Sequence, residues 1–401
     1  MPGGLGSQEQ ERRGTSPSAV RRRSPRVHPQ RAVAYRVAAH GLDERRPVSM
    51  LASVTAGCGM PDTPLGTAAS ALHARLTRLD RRAVSNALRS MELVALWGPR
   101  RVNHLVPAGD VLTFGIGALP DREDALRAAL GEAADAVAAA GMSAARAVVV
   151  VAAAIADSLR QGAMTKEEVS AALHGRIPIA LEPWCGACRA AHVPEPLLRL
   201  AATAAGALLD GPNLTRLELR APNLAELSDD QLTGARLELT RRYLRSFGPT
   251  TPEQFAAWAG TGTEDAVRRW QALGHELVEM QLGGRVWMLR ESLALLRDPP
   301  LARGVRLLPP GDPFLDQRDR ATLLPDFGDR RRLWRPGGAP GLVLFDGEPV
   351  AVWRSRSSPY RLRVRLEPFG DLGPNLREEI GVEVQHLAEF LGAGEGVLTS
   401  A

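Results

Sequence analysis

The sequence predicts a mainly α protein with an α+β tail: tandem helical units followed by a small C-terminal β-barrel. Residues 228–290 contain three capped apolar helices and a Gly-Gly hairpin, and two earlier stretches repeat the helical pattern. Short alternating apolar segments between residues 305 and 366 indicate strands. A chain of 401 residues is long enough for several units of ordinary domain size.

The best-defined unit covers residues 228–290. Ser228 is placed to cap the first helix, Thr251 opens the second, and the third helix is expected from 264 to 273. Gly283-Gly284 then joins two short segments in a hairpin. Three helices and a hairpin predict a winged helix, which is a helix-turn-helix unit with a β wing.

Arginines of this unit are the first candidates for contacts with nucleic acid. The helical period places Arg268 and Arg269 on the polar face of the third helix, and Arg285 lies on the wing. Arginine offers a fixed fork of donors that fits phosphate and guanine edges. Helix-turn-helix units also serve as plain packing modules, so an interaction module without nucleic acid remains an alternative if these arginines form internal salt bridges.

Charge and apolar patterning limit the class of protein. The formal net charge is +5, and Lys166 is the only lysine, so arginine carries almost all of the positive charge. The apolar run at 145–158 is too short for a bilayer and predicts a buried core helix. Residues 1–30 lack the apolar region of a secretory signal. We therefore expect a cytoplasmic, monomeric protein with no membrane partner.

The remaining chain divides into similar units. Before residue 228 we expect a disordered basic tail at 1–30 and two winged-helix-like units at 31–142 and 143–227. The third unit covers 228–300, and a β-barrel with a terminal helix covers 301–401. In the first unit, Pro64 opens a helix that continues to Leu79, Asp80 caps the next one, and a strand covers 93–97. The second unit begins with the buried helix. Pro120-Asp121 is expected to start a helix that reaches Gly141.

A basic turn and a cysteine motif carry the other candidate side chains. Arg100, Arg101 and His104 follow the strand at 93–97 in a wing-like turn and are candidate DNA contacts. Cys185, Cys188 and His192 have ligand spacing for zinc, but a closed structural site needs four ligands and the sequence shows no fourth. The sequence therefore predicts free, buried thiols beside a core tryptophan, with no bound metal and no cofactor. Zinc is the alternative if the fold brings Cys58 or another histidine to the motif as a fourth ligand.

Several motifs together resemble the bacterial winged-helix DNA-binding family that includes the AlkZ-like alkylpurine DNA glycosylases. The motifs are Trp97-Gly98-Pro99-Arg100, His104-Leu105-Val106-Pro107, Trp184-Cys185 with His192-Val193-Pro194-Glu195, Leu308 to Leu315 with Arg318-Asp319-Arg320, and Asp346-Gly347 with Trp353-Arg354. The resemblance implies three tandem winged helices and a β-barrel around a cleft for double-stranded DNA, with Arg318 and Arg320 as further DNA contacts. It also implies a DNA repair hydrolase that excises alkylated or cross-linked purines by cleaving the N-glycosidic bond.

The family's catalytic motif is altered in this chain. The resemblance implies a Gln-x-Gln or Gln-x-Asp motif that positions water, yet Pro61 stands where a glutamine is expected. Proline cannot orient water through a side chain. Asp62 is the candidate catalytic residue, as general base or as a stabiliser of the positive sugar, and the alternative is a helix-capping aspartate. Asp312 and Asp319 are the next carboxylates to consider. A catalytically silent DNA binder or transcription regulator therefore remains open beside the enzyme.

Overall fold

The computed structural model describes residues 24–211 and 214–400. Its α-helices in chain order are α1 (Pro29–Ala39), α2 (Leu51–Ala56), α3 (Thr67–His73), α4 (Arg81–Arg89), α5 (Val111–Phe114), α6 (Glu123–Leu130), α7 (Ala133–Ala139), α8 (Ala144–Leu159), α9 (Lys166–Leu173), α10 (Glu195–Ala204), α11 (Asp229–Phe247), α12 (Pro252–Ala259), α13 (Thr263–Leu273), α14 (Leu293–Arg297), α15 (Arg320–Leu323), α16 (Phe327–Leu333) and α17 (Pro374–Leu391).

The strands form five sheets within these described residues. In chain order they are β1 (Arg46–Pro47), β2 (Met60–Pro61), β3 (Leu76–Thr77), β4 (Leu93–Trp97), β5 (Asn103–Pro107), β6 (Met164–Thr165), β7 (Trp184–Cys185), β8 (Ala190–Ala191), β9 (Ala207–Asp210), β10 (Arg216–Leu219), β11 (Leu277–Gln281), β12 (Arg285–Leu289), β13 (Val305–Leu308), β14 (Gly341–Phe345), β15 (Glu348–Ser357), β16 (Arg361–Pro368) and β17 (Glu395–Ser400).

The first two helical stretches share one antiparallel sheet. The six-stranded sheet has the order β2-β5-β4-β9-β10-β6, so β4 pairs with β5 from its own stretch and with β9 from the next. The junction is a single pair, Ala95 opposite Leu209. Helix α8 covers the predicted apolar run and buries Val148, Val151 and Ile155, which confirms the buried core helix. The domain limits themselves stay a prediction.

Two predicted helices are shorter than the apolar pattern indicated. The helix expected to reach Gly141 is broken into α6 and α7, because Gly131 between them takes a positive φ of 55° that ends the first helix. The helix expected to reach Leu79 ends at His73. The chain then enters β3, where Leu76 pairs with Arg46 of β1.

The stretch from α11 to β12 has the three helices and the hairpin that the sequence predicts. Side chains of Ser228 and Thr251 accept hydrogen bonds from backbone N–H groups three residues later, which caps α11 and α12. Gly262, one residue before the predicted cap, precedes α13. Strands β11 and β12 pair in antiparallel register from Leu277 opposite Leu289 to Gln281 opposite Arg285.

Residues 24–30 belong to the fold, which corrects part of the expected disordered tail. The backbone N–H of Val27 donates to the carbonyl of Gln281 at 2.9 Å, and the N–H of Gln281 donates to Pro25 at 2.9 Å. These bonds use the free edge of β11, and α1 follows at Pro29. The rest of the predicted tail, residues 1–23, lies outside the described residues.

The C-terminal part is a curled five-stranded sheet with the order β13-β14-β15-β16-β17. Strands β13 and β17 form its two edges, so the predicted barrel is realised as a curled sheet. Strand β17, which the sequence analysis did not predict, pairs in parallel with β16. Helix α17 packs on this sheet through Ile380, Val384 and Leu387.

Among the described residues, no single helix combines the length and the apolar character needed to cross a membrane. Helices α7 and α8 reach that length only as a pair, and they are bent by 91° at their junction.

Candidate functional site

The loop that the resemblance marks as catalytic follows β2, at the edge of the six-stranded sheet. Pro61 lies opposite His104 in the β2–β5 pair. The N–H of Asp62 donates to the carbonyl of Asn103 at 2.7 Å. The loop is therefore held to β5 on one side before the chain turns into α3.

Asp62 is buried and faces the start of α3. One carboxylate oxygen accepts hydrogen bonds from the N–H groups of Gly66 at 2.8 Å and Ala68 at 3.0 Å. Burial raises the pKa of Asp62, while these backbone donors act in the opposite direction. The contacts are those of a carboxylate that satisfies the free N–H groups of a helix N-terminus.

The two sides of this loop line different cavities. Successive residues of an extended segment point to opposite sides. Pro61 and Thr63 line a cavity of about 250 Å³ together with Arg100, Asp316 and Trp334. Asp62 instead lines a cavity of about 730 Å³. We refer to the smaller space, at positions 61 and 63, as the Pro61 cavity.

Arg100, which lines the Pro61 cavity, and its neighbours Arg101 and Arg318 are already engaged by protein groups. Arg100 donates to Asp316 at 2.5 Å and also to the carbonyl of Trp258 on α12. Arg318 donates to the other oxygen of Asp316 at 2.8 Å. Arg101 donates to Gly260 at 3.4 Å, and burial, followed by the charge of Arg100, lowers its pKa. Asp316 therefore neutralises part of the charge that the sequence assigned to DNA contacts.

His104 is enclosed, which corrects its expected place on a DNA-contacting surface. Its side chain lies against Gly98, where a Cβ would come within 2.9 Å of the ring nitrogen Nδ1. That nitrogen donates to the carbonyl of Val102 at 2.9 Å. Burial lowers the pKa of His104 to about 4, so the imidazole is neutral near pH 7.

Asp312 and Asp319, the other two carboxylates considered for catalysis, are ion-pair partners of buried arginines. Asp312 lines the Pro61 cavity, but both of its oxygens accept hydrogen bonds from Arg75. Asp319 accepts two from Arg36 at 2.9 and 2.8 Å. The candidate residues therefore do not converge on one cavity: Arg100 and Asp312 line the Pro61 cavity, and Asp62 and His104 do not.

The arginines of α13 do not form an exposed basic face. Arg269 is 5% exposed and donates to the carbonyl of Gly117 at 3.0 Å, which corrects its predicted exposure. Helical packing buries this position between the apolar residues Ala266 and Trp270. Arg268 donates to Asp265 at 2.6 Å and to Asp121 at 3.3 Å. These are the internal salt bridges that would favour an interaction module over DNA contact by this helix.

Arg285 remains exposed on the predicted wing. Its guanidinium lies 5.1 Å from the ring centre of Trp287. The nearest carboxylate, Glu279, is 3.8 Å away. A role for Arg285 in DNA binding stays a prediction.

A basic surface with one exposed and one half-buried aromatic ring lies on α15, on α16 and at the residue that follows α16. Arg320 stacks over Trp334 at 5.0 Å, and Arg330 and Arg331 lie 5.6 and 6.0 Å from Phe327, which is 65% exposed. These side chains surround a hollow of about 440 Å³, here called the α16 hollow. Trp334 lines this hollow and the Pro61 cavity alike. The two spaces are therefore neighbours.

The outer face of the β15–β16 hairpin carries a second group of arginines. Arg354 lies opposite Arg365, and Arg356 lies opposite Arg363. Like charges directly opposite each other destabilise an antiparallel pair. Among the described residues, no carboxylate forms an ion pair with Arg356, Arg363 or Arg365, whereas Arg354 lies 3.7 Å from Glu367. We refer to Arg354, Arg356, Arg363 and Arg365 together as the hairpin arginines. The positive charge of the last three is not compensated by a carboxylate of the described residues.

The cysteine motif comes together in space. The ligand atoms of Cys185, Cys188 and His192 all lie within 4.8 Å of one another, at the end of the β7–β8 ribbon. The backbone N–H of Cys188 and the nearby imidazole lower the pKa of the Cys185 thiol to about 7. Cys188 and Trp184 are exposed, which corrects the expected buried thiols beside a core tryptophan. Cys58, the remaining cysteine, is buried beside His40 and lies outside this cluster.

Sequence reasoning missed the α16 hollow and the exposed Tyr360 at the hairpin tip. The available signal was the run Arg330-Arg331-Arg332 placed between Phe327 and Trp334, because basic residues interleaved with aromatic ones are typical of nucleic-acid surfaces. Tyr360 is 83% exposed beside the hairpin arginines. Along β16, Arg361, Arg363 and Arg365 alternate with the buried residues Leu362, Val364 and Leu366, so the three arginines share one exposed face.

Comparison with known proteins shows that the chain is a DNA glycosylase-like protein. The family model described as "DNA glycosylase AlkZ-like" matches residues 57–390. The chain therefore belongs to the AlkZ-like DNA glycosylase family, which confirms the resemblance inferred from the motifs. A comparison with curated proteins gave no match.

A solved structure shows the same fold. Streptomyces sahachiroi DNA glycosylase AlkZ matches with a TM-score of 0.72 and 19% sequence identity, over 94% of this chain and 100% of that chain.

Proposed function

We propose that this protein binds duplex DNA as a glycosylase-like protein and does not release a base from it. The binding surface combines the hairpin arginines, the α16 hollow and Arg285, which lies on the wing of the winged helix that we assign to α11–β12. We take the protein to act as a cytoplasmic monomer. Membership of a family of DNA glycosylases supports DNA as the partner.

The hairpin arginines are the observation that carries the proposal. Arg356 and Arg363 face each other across two strands, a placement that costs stability in the free protein. A phosphate group between them would remove the repulsion and accept hydrogen bonds from both guanidinium groups. Tyr360 beside them offers a ring on which a base can stack.

The α16 hollow connects this basic surface to the altered motif. Trp334 forms a wall shared by the hollow and the Pro61 cavity. Duplex DNA held by Arg320, Arg330 and Arg331 would therefore lie next to positions 61 and 63, where the family places its catalytic motif.

Among the described residues that line the Pro61 cavity, none offers a free group that can activate water. Pro61 has no polar side-chain atom, and the hydroxyl of Thr63 is neutral at pH 7. Asp316 does line the cavity, but its carboxylate accepts hydrogen bonds from Arg100 and Arg318. Asp62 lines the other cavity and caps α3. General-base catalysis needs an available acceptor within hydrogen-bond reach of the water.

An active glycosylase that uses Asp62 is the second candidate. Burial raises the pKa of Asp62, and a raised pKa makes a carboxylate a better general base near neutral pH. This candidate requires the carboxylate to leave the backbone N–H groups of Gly66 and Ala68 and reach the sugar.

Fluorescence anisotropy with a labelled duplex tests the binding half of the proposal. Affinity should fall by about 10³-fold between 50 and 200 mM salt if roughly six phosphates are contacted, because counterions are released on binding. Binding that is absent at low salt, or that does not change with salt, would contradict the proposal.

A further inference from the structure

We infer that Cys185, Cys188 and His192 form a zinc site with one open coordination position. This goes beyond the proposed DNA binding and reverses the expectation, drawn from the sequence, that no metal is bound. That expectation rested on the lack of a fourth ligand. Zinc sites with three protein ligands and a bound water are well known, so a fourth side chain is not required.

The distances between the donor atoms fit zinc. A tetrahedral zinc with Zn–S bonds of about 2.3 Å and Zn–N bonds of about 2.0 Å places its donor atoms about 3.5 to 3.8 Å apart. The three donor atoms here lie within 4.8 Å of one another. Only small side-chain rotations are needed to close the site, because Cys185 ends β7 and Cys188 lies in the turn that follows it.

His192 is already oriented as a zinc ligand. Its Nδ1 donates to the carbonyl of Val193 at 2.9 Å, so the lone pair of the neutral ring is on Nε2. Nε2 is buried and makes no hydrogen bond of normal length with a described residue, although the imidazole lies close to the Cys185 thiol. A buried polar atom without a partner is unfavourable, and a metal ion would satisfy it. A metal-ligating histidine commonly donates its other nitrogen to a backbone carbonyl, as here.

The ribbon that carries the cysteines has no core of its own. Residues 183–191 contain no buried side chain, and Trp184 is 69% exposed. Apolar burial therefore does not hold this ribbon in place. A metal ion that joins both cysteines to His192, directly before α10, would supply the missing cross-link.

Metal analysis of the full chain, purified without chelator, tests the inference. We expect about one zinc per chain, and a loss of about tenfold or more in each of Cys185→Ser, Cys188→Ser and His192→Gln. Cys58→Ala and His174→Gln are matched controls outside the cluster and should keep the metal. Less than about one zinc in ten chains of wild type, or zinc retained in all three variants, would overturn the inference.

Cobalt substitution keeps the test valid if a variant fails to fold. Wild-type protein loaded with Co²⁺ should show thiolate-to-metal charge transfer and the intense visible bands of a tetrahedral site. A cobalt spectrum without thiolate charge transfer would contradict the site. Mass spectrometry that finds Cys185 and Cys188 joined as a disulfide in freshly purified protein would also overturn it.

Discussion

Arg75 and Asp312 form a two-point ion pair in which both side chains are fully buried. The guanidinium nitrogens donate to the two carboxylate oxygens at 2.7 and 2.8 Å. Arg75 follows α3, whereas Asp312 lies in the turn after β13, so the pair joins the N-terminal helices to the C-terminal sheet. Arg75 also donates to the carbonyl of His40 at 2.8 Å. The wall of the Pro61 cavity is therefore fixed by a buried charge pair.

Removal of one partner of this pair should strongly destabilise the fold. Asp312→Ala leaves a buried arginine without its counter-charge, and the free energy of unfolding should fall by about 3 to 5 kcal/mol. Asp124→Ala is the control, because Asp124 pairs with Arg122 but is 64% exposed, and it should change stability by less than about 1 kcal/mol. Denaturant unfolding of the three proteins measures both values. Equal stability of Asp312→Ala and wild type would show that the pair does not hold this junction.

The hairpin arginines should favour DNA binding at the expense of stability. The double variant Arg356→Ala/Arg363→Ala should bind duplex about tenfold more weakly, with a salt slope smaller by about 2, because two phosphate contacts are lost. The same change should raise the free energy of unfolding by a few tenths of a kcal/mol to about 1 kcal/mol, since like charges no longer oppose each other.

Arg127→Ala/Arg160→Ala is the matched control for this variant. Both arginines are more than half exposed. Arg127 lies near Glu123 on α6, and Arg160, at the C-terminal cap of α8, lies near Asp157 on that helix. The control should leave the salt slope unchanged. If it weakens binding as much as the hairpin variant does, the interface lies elsewhere.

His104 should make the protein less stable as the pH falls below neutral. Its folded-state pKa is about 4, against an ordinary value of 6.5, so the unfolded chain binds more protons between these values. The contribution of His104 is fully present above pH 6.5 and is lost as the pH falls to 4, by about 3 kcal/mol in total.

The variant His104→Asn isolates this effect, because its amide can still donate to Val102. The loss of unfolding free energy between pH 7 and pH 4.5 should be smaller in this variant than in wild type. His275→Asn, at an exposed position, should behave as wild type does. If His104→Asn shows the full wild-type loss, other groups cause the pH dependence.

Local sequence signals predicted the elements, whereas their assembly depends on distant contacts. The side chains of Ser228 and Thr251 accept hydrogen bonds from backbone N–H groups three residues later, so the starts of both helices could be predicted from the sequence. Strand β17 pairs with β16 across α17, and the single pair between Ala95 and Leu209 merges two stretches into one sheet. No local pattern encodes either pairing.

The same distinction applies to the candidate site. The motif position at Pro61 and the arginine alternation on β16 follow from the sequence. The burial of Arg269 depends on Gly117, far away in the chain, and the face taken by Asp62 depends on its bonds to α3. The three zinc-ligand candidates were found by their spacing. Only the structure shows that Nε2 of His192 is buried without a hydrogen bond of normal length to a described residue.

We propose that this protein holds duplex DNA without excising a base. The most direct measurement is single-turnover excision on a duplex that carries one N7- or N3-alkylated purine, at a salt concentration where anisotropy shows the duplex to be bound. We expect no base release beyond the buffer control from wild type or Asp62→Asn, and a trace from Pro61→Gln, which restores a group able to orient water. Robust release by wild type that is lost in Asp62→Asn would contradict the account and assign catalysis to that carboxylate.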